Sequence, residues 1–276
     1  MTTHFNHMIT RIEDEAGAVH WIDPTVRLSD ASRIKDEISN RPALAISENV
    51  ETAETTPALT PEMNAGLIEA ELEHHEDGRF SITSKLILIG EQARSFISKI
   101  SRKSKTQKDE YILNIFSDGK EMIAGDYSLD DIPRGRIAPV RMTPRVQTLE
   151  EPIVTTAGFG ISISSDFEEF KNFKIEDMVS GVKIGEIGTV TSRSTYKGAK
   201  LVGNLPENCT VDSPWITATR RYQATHNTIT RESIQVTKNP YISNSELKSK
   251  AFQDLRQQLR QCDAPRMLIY TRTEDK

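Results

Sequence analysis

PWITATRRYQATHNTITRESIQVTK, residues 214–238, is the stretch on which the fold turns. Isoleucine, valine and threonine crowd both halves, and the polar trio Thr225-His226-Asn227 divides them, so the segment predicts a β-hairpin. In the second arm Ile229 and Ile234 differ by an odd number, which breaks the period of two and predicts a bulge.

Working outward, the same chemistry recurs. FSITSKLILIG (80–90) predicts a strand stopped at Gly90. Ala93, Phe96, Ile97 and Ile100 then fall at helical spacing, giving an amphipathic helix over 91–102. YILNIF (111–116), Asp118-Gly119 and KEMIAGDY (120–127) predict a tight hairpin, because Asp-Gly adopts positive φ at little cost. Residues 132–149 hold three prolines, four arginines and no acid, which predicts an extended loop or a sheet edge. PIVTTAGFGISISS (152–165) predicts strand, bend, strand, and Phe167, Phe170, Phe173 and Met178 a short helix or turn packed inward. GVKIGEIGTVTSRSTY (181–196) and GAKLVGNL (198–205) predict a strand pair. Leu247, Ala251, Phe252, Leu255, Leu259 and Cys262 form one stripe of a helix near 245–262, capped by Asn244 or Ser245. RMLIYTR (266–272) predicts a last strand.

The sum is an α+β, β-rich domain over residues 80–276, an antiparallel sheet or sandwich-like core with a few short peripheral helices. Residues 1–79 predict a largely disordered acidic arm, since NRPALAISENVETAETTPALTP (40–61) is too polar to offset the entropy of ordering it. Short helices are expected in the arm from Ser29 to Ser39, and from Thr60-Pro61-Glu62 to His75 with Leu67, Ile68 and Leu72 on its apolar face.

Charge divides along the same line. Residues 1–80 carry 6 Lys or Arg against 16 Asp or Glu, net −10, and residues 81–276 carry 29 against 24, net +5. The longest aliphatic run, residues 86–89, is far shorter than the roughly 20 residues of a membrane span. The two cysteines, with no CxxC, argue against a disulfide framework or a cysteine zinc site and fit a reducing, cytoplasmic setting.

Signatures of catalysis fail on spacing. Gly158-Phe159-Gly160 has Ile163 where a dinucleotide loop needs its third glycine, and no GK[ST], HExxH or GxSxG occurs. His74 and His75 are adjacent and on a helix would diverge, while Asp126, Asp130 and Asp131 lack further oxygen ligands nearby in sequence. Of six histidines only His226 lies outside the arm. The expectation is a protein that is not an enzyme and holds no cofactor or metal.

The remaining signal is basic. Lys99, Arg102, Lys103, Lys105 and Lys108 form one group, and Arg134, Arg136, Arg141 and Arg145 a second, expected to share one patch with the first. Arg193, Lys197 and Lys200 form a third, and Arg220, Arg221 and Arg231 a fourth. Trp215, Tyr196 and Tyr222 are placed to stack on unpaired bases. These groups predict a binding or structural protein, of the virus-encoded matrix or movement kind, that takes up nucleic acid on basic loops. The alternatives are a peripheral membrane or scaffold protein on anionic lipid, and a carboxylate-based enzyme. Protein partners are expected through the acidic arm, and a homo-oligomer through the C-terminal helix.

Overall fold

An eight-stranded sheet organises the computed structural model, which describes residues 8–25, 34–44, 53–117, 120–132, 137–150, 153–163, 166–171, 180–263 and 267–273. Two short ribbons come first, β1 (Thr10–Glu13) with β2 (Val19–Ile22) and β3 (Pro42–Leu44) with β4 (Ala53–Thr55). They are followed by β5 (Ala65–His74), β6 (Arg79–Leu88), α1 (Glu91–Ile100), α2 (Lys105–Ser117), β7 (Met122–Leu129) and β8 (Val140–Leu149). Next come β9 (Ile153–Thr155), β10 (Gly158–Ser162), α3 (Glu168–Lys171), β11 (Val182–Lys183), β12 (Gly188–Lys197) and β13 (Ala199–Leu201). The chain closes with β14 (Cys209–Asp212), β15 (Ile216–Ala224), β16 (Thr228–Thr237), β17 (Tyr241–Ile242), α4 (Asn244–Leu247), α5 (Lys250–Cys262) and β18 (Met267–Arg272).

The large sheet has the order β14-β15-β16-β12-β5-β6-β8-β7, antiparallel except where β12 meets β5 in parallel. Its register decides what faces inward. Tyr196 lies opposite Ile229 and Leu72, Leu72 opposite Ile82, and Ile82 opposite Val146, so these five side chains share one face. Three covers bury that inner face. Helices α1 and α2 lie on Leu86, Leu88, Val140 and Met142. A second sheet, β13-β18-β10-β9, covers Tyr222 and Ile229, and α5 covers Val211, Ile216 and Ala218. For α1 the packing outweighs the capping. Gly90 offers no side-chain cap, worth about 1 kcal/mol, whereas burial of Phe96, Ile97 and Ile100 contributes about 1.5–3 kcal/mol each.

The β-rich character and the 214–238 hairpin agree with the sequence reading, but several local expectations do not. The bulge is absent: β15 and β16 pair without interruption from Ile216↔Thr237 to Ala224↔Ile229. The odd spacing arises because Ile229 points inward with Arg231 and Ser233, while Ile234 points out. The segment after Pro61 is a single 3-10 turn followed by β5, so no helix runs to His75 and the sheet begins before residue 80. Glu69, Glu71 and Glu73, at a spacing of two, were the strand signal. Only residues 34–39 of the segment expected as a helix from Ser29 are described, with one 3-10 turn at Asp36–Ile38.

YILNIF belongs to α2 and is no hairpin arm; the Asp118-Gly119 turn lies outside the described residues. The helix starts at a reciprocal cap, Gln107 N–H to Ser104 Oγ and Ser104 N–H to Gln107 Oε1, the S-x-x-Q form of a capping box. Among the described residues the one register shift of the large sheet lies at Met122/Ala124 on β7, an edge strand. Strand β8 is paired on both sides despite Pro144. Its ladder to β6 lapses between Thr83↔Arg145 and Leu86↔Met142, where a proline has no N–H to give. Strands β12 and β13 are not partners: Gly198, at φ 64°, turns the chain from one sheet into the other. In the C-terminal helix the caps are Ser243, in a capping box with Glu246, and Ser249, which splits it into α4 and α5; Ala251 is exposed. Phe167 and Phe170 pack inward as expected, and Phe173 and Met178 lie outside the described residues.

The cysteines also depart from expectation. Cys209 and Cys262, 53 residues apart in sequence with Cα atoms 5.6 Å apart, form a disulfide between β14 and the end of α5. Cysteine content therefore does not argue for a reducing compartment. Among the described residues no helix is long and apolar enough to cross a membrane.

At the end of β5, His74 Nδ1 bonds the Tyr270 hydroxyl at 2.8 Å, and its ring lies 4.4 Å from that of Phe80. Burial pushes the imidazole pKa below its ordinary value. A depressed folded pKa means that this contribution to stability is whole above about pH 6.5 and is lost as pH falls through the folded value. Thermal unfolding is expected to show a lower Tm at pH 5.5 than at pH 7.5, with the difference reduced in His74→Phe. An equal difference in both proteins would exclude His74 as its source.

Candidate functional site

The structure scatters the basic residues into three environments. The first is the α1–α2 corner. Lys99 ends α1, Arg102 and Lys103 form the turn, and Lys105 and Lys108 open α2, above the buried Ile97 and Ile100. Lys103 Nζ lies 5.3 Å from the centre of the Tyr111 ring. Among the described residues none of these five cations has a carboxylate partner. The nearest acid along the helix, Asp109, accepts a 2.6 Å hydrogen bond from Tyr127, which pushes the tyrosine pKa up to about 12. The positive end of the α2 dipole also points to this corner. The negative end of α1 offsets part of it, but five full charges outweigh two half charges.

The second environment is the outer face of the large sheet. Here Lys85, Glu69, Arg193, Glu232 and Arg221 form a row across β6, β5, β12, β16 and β15 with alternating sign. Arg193 bonds Glu232 at 2.6 Å and Glu69 at 3.3 Å, Lys85 lies 3.6 Å from Glu69, and Arg221 lies 3.9 Å from Glu232. Lys197 bonds Glu71 at 2.6 Å, and Arg145 bonds Asp126 at 3.2 Å. Exposed pairs of this sort contribute roughly 0–1 kcal/mol each, but they cancel the field a polyanion would need. Arg141 on this face, and Lys200 on β13 of the second sheet, are exposed and have no ion pair among the described residues. Arg141 and Arg145 project from the face opposite α1 and α2, so they do not extend the corner into one patch, as expected from sequence. Arg134 and Arg136 lie outside the described residues.

The third environment is buried. Arg220, fully inaccessible, bonds Asp166 at 2.5 Å, the Cys262 carbonyl at 3.3 Å, and Asp263. Arg231 pairs with the same Asp166, and Lys171 with Asp263. Burial would raise the Asp166 carboxyl, but the guanidinium groups of Arg231 and Arg220 outweigh it and hold the pKa below the ordinary range. Arg220 therefore joins β15 to α5 and to the segment before α3, and it meets no external anion. Trp215 and Tyr222 are buried in two separate core clusters and Tyr196 is packed against the second, so these rings do not form an exposed stacking surface. Of the residues read as binding positions, Arg220 and Tyr222 are thus structural.

His226 is exposed at the β15–β16 turn, and His75 bonds Ser81. Asp126 is held by Arg145 rather than by other acids, and no group of three or more His, Cys, Asp or Glu converges on a metal position among the described residues. Comparison with protein-family models, with curated proteins and with solved structures gave no match for this chain, so the geometry alone has to carry its reading.

Proposed function

We propose that the chain is a non-enzymatic binding protein that docks the phosphate backbone of nucleic acid on the α1–α2 corner. One observation carries this reading: among the described residues Lys99, Arg102, Lys103, Lys105 and Lys108 have no carboxylate partner, while most cations of the outer face are cancelled in pairs. With Trp215 and Tyr222 in the core and Tyr196 packed against it, contacts run mainly to phosphates. Binding is then independent of sequence and depends steeply on salt.

Fluorescence anisotropy of the full chain with a labelled single-stranded oligonucleotide, at two salt concentrations, tests the reading. The triple variant Arg102→Glu, Lys103→Glu, Lys105→Glu is expected to bind at least about tenfold more weakly. The slope of log K against log salt should fall in magnitude by about 2, at about 0.7 per lost phosphate contact. Arg141→Glu, on the opposite face, should leave both unchanged. Equal losses in the two variants would count against a defined site. Binding to anionic phospholipid vesicles without binding to the oligonucleotide would replace this reading with the lipid one.

A further inference from the structure

A cavity of about 530 Å³ opens on the inner face of the large sheet, between the start of α1 and α3. Among the described residues it lies between the three covers, and the floor changes character there. Inward positions elsewhere are mostly apolar, such as Ile216, Ala218, Leu86 and Leu88, but beside Gly188 and Val190 the floor of the cavity carries Ser192, Ser233, Gln235 and Thr237. Ser233 is 5% exposed and lines the cavity, and its hydroxyl has no hydrogen-bond partner among the described residues. A hydroxyl left in this state is one that a ligand can pair.

The walls are held in place. Asn64 donates to the Ile187 carbonyl at 2.8 Å and accepts from Gln92 N–H at 3.1 Å, and its own carbonyl accepts from Thr189 N–H at 2.8 Å. It thereby ties the start of α1 to the start of β12. Gly188 permits this, since a Cβ there would stand 2.5 Å from the Asn64 carbonyl oxygen.

Charge then selects the ligand. No lysine or arginine is among the described lining residues, which include five carboxylates. Four have cations behind them: Glu91 with Arg94, Asp166 with Arg220 and Arg231, Glu168 with Lys171, and Glu186 with Lys183. Glu169 has none among the described residues. Gly185, at φ 69°, lets its carboxylate lie over the cavity, because a Cβ would meet Glu169 Oε2 at 2.9 Å.

We propose that this cavity binds a small hydroxylated amine, of the amino-sugar kind, with its single positive charge at Glu169 and its hydroxyls on Ser233 and Ser192. The site is separate from the basic corner and does not depend on it. Glucosamine, glucose and glucuronate share one body and differ in charge, so they separate the contributions. Calorimetric titration of the full chain, at a pH where the amine is charged, is expected to rank glucosamine about tenfold above glucose, with glucuronate not bound. Glu169→Gln should bring glucosamine and glucose to the same affinity. Ser233→Ala should weaken glucosamine at least about threefold, while the Tm of the free protein stays level or rises, as removal of an unpaired hydroxyl requires. No binding of glucosamine by the native chain, binding unaltered in both variants, or a Tm loss in Ser233→Ala would overturn the proposal.

Discussion

Arg220→Met is expected to lower the unfolding free energy by about 3–5 kcal/mol in urea titrations at neutral pH, a large share of what a domain has to lose. Methionine fills much of the same volume, so packing is not the main loss. The loss comes from Asp166 and Asp263, which stay in the interior with one guanidinium fewer. Arg231 and Lys171 still face them, so the cost should fall short of a bare buried charge. The cluster also fixes a pH dependence. Asp166 titrates below its ordinary value in the folded chain, so its contribution is complete above about pH 4 and disappears as pH falls through the folded pKa. Arg220→Met should flatten this acid limb. A loss under about 1 kcal/mol, with the acid limb unchanged, would show that the cluster is neutral for stability.

Reduction of the Cys209–Cys262 disulfide should cost nearly as much. A closed loop of this length corresponds to about 4 kcal/mol in the chain-entropy account, within a measured range of about 0–5. Cys209 sits on the edge strand β14 and Cys262 at the end of α5, so the cross-link pins the helix to the side of the sheet where hydrogen bonding stops. The two effects share an atom: the Cys262 carbonyl accepts from Arg220. Contacts of this kind are not additive. Arg220→Met in the presence of reductant should therefore lose less than the two separate losses combined. A Tm that does not respond to reductant, in a chain whose free thiols titrate before unfolding, would refute the cross-link.

Both predictions concern groups whose roles the sequence concealed. Arg220 and Arg221 are neighbours, and composition cannot tell them apart. In the fold one is fully buried and the other pairs across the exposed face, because consecutive residues of a strand point to opposite sides. The candidate sites divide in the same way. The basic corner was legible, since Lys99 to Lys108 lie within ten residues and the helix carrying the first of them followed from Ala93, Phe96, Ile97 and Ile100. The cavity was not legible. Its floor alternates along β12 and β16, and its rim comes from α1, α3 and the Gly185 loop. The one visible trace was polar residues at every second place, Ser192 on one strand and Ser233, Gln235 and Thr237 on the other, where an inward face should be apolar.

By itself the sequence determined most of the local structure. β-branched runs with polar breaks became β15, β16, β6, β10 and β18, and apolar stripes at helical spacing became α1 and α5. Those outcomes rest on interactions between residues close in the chain, which a short segment contains in full. Tertiary structure decided the rest: YILNIF as helix, residues 65–74 as the strand beside β12, and the partner of each charge. Arg193 and Glu69 are 124 residues apart, and Arg220 and Asp166 are 54. Their pairing follows from the order and register of strands, set by burying one whole face under three covers, and no local window holds that information.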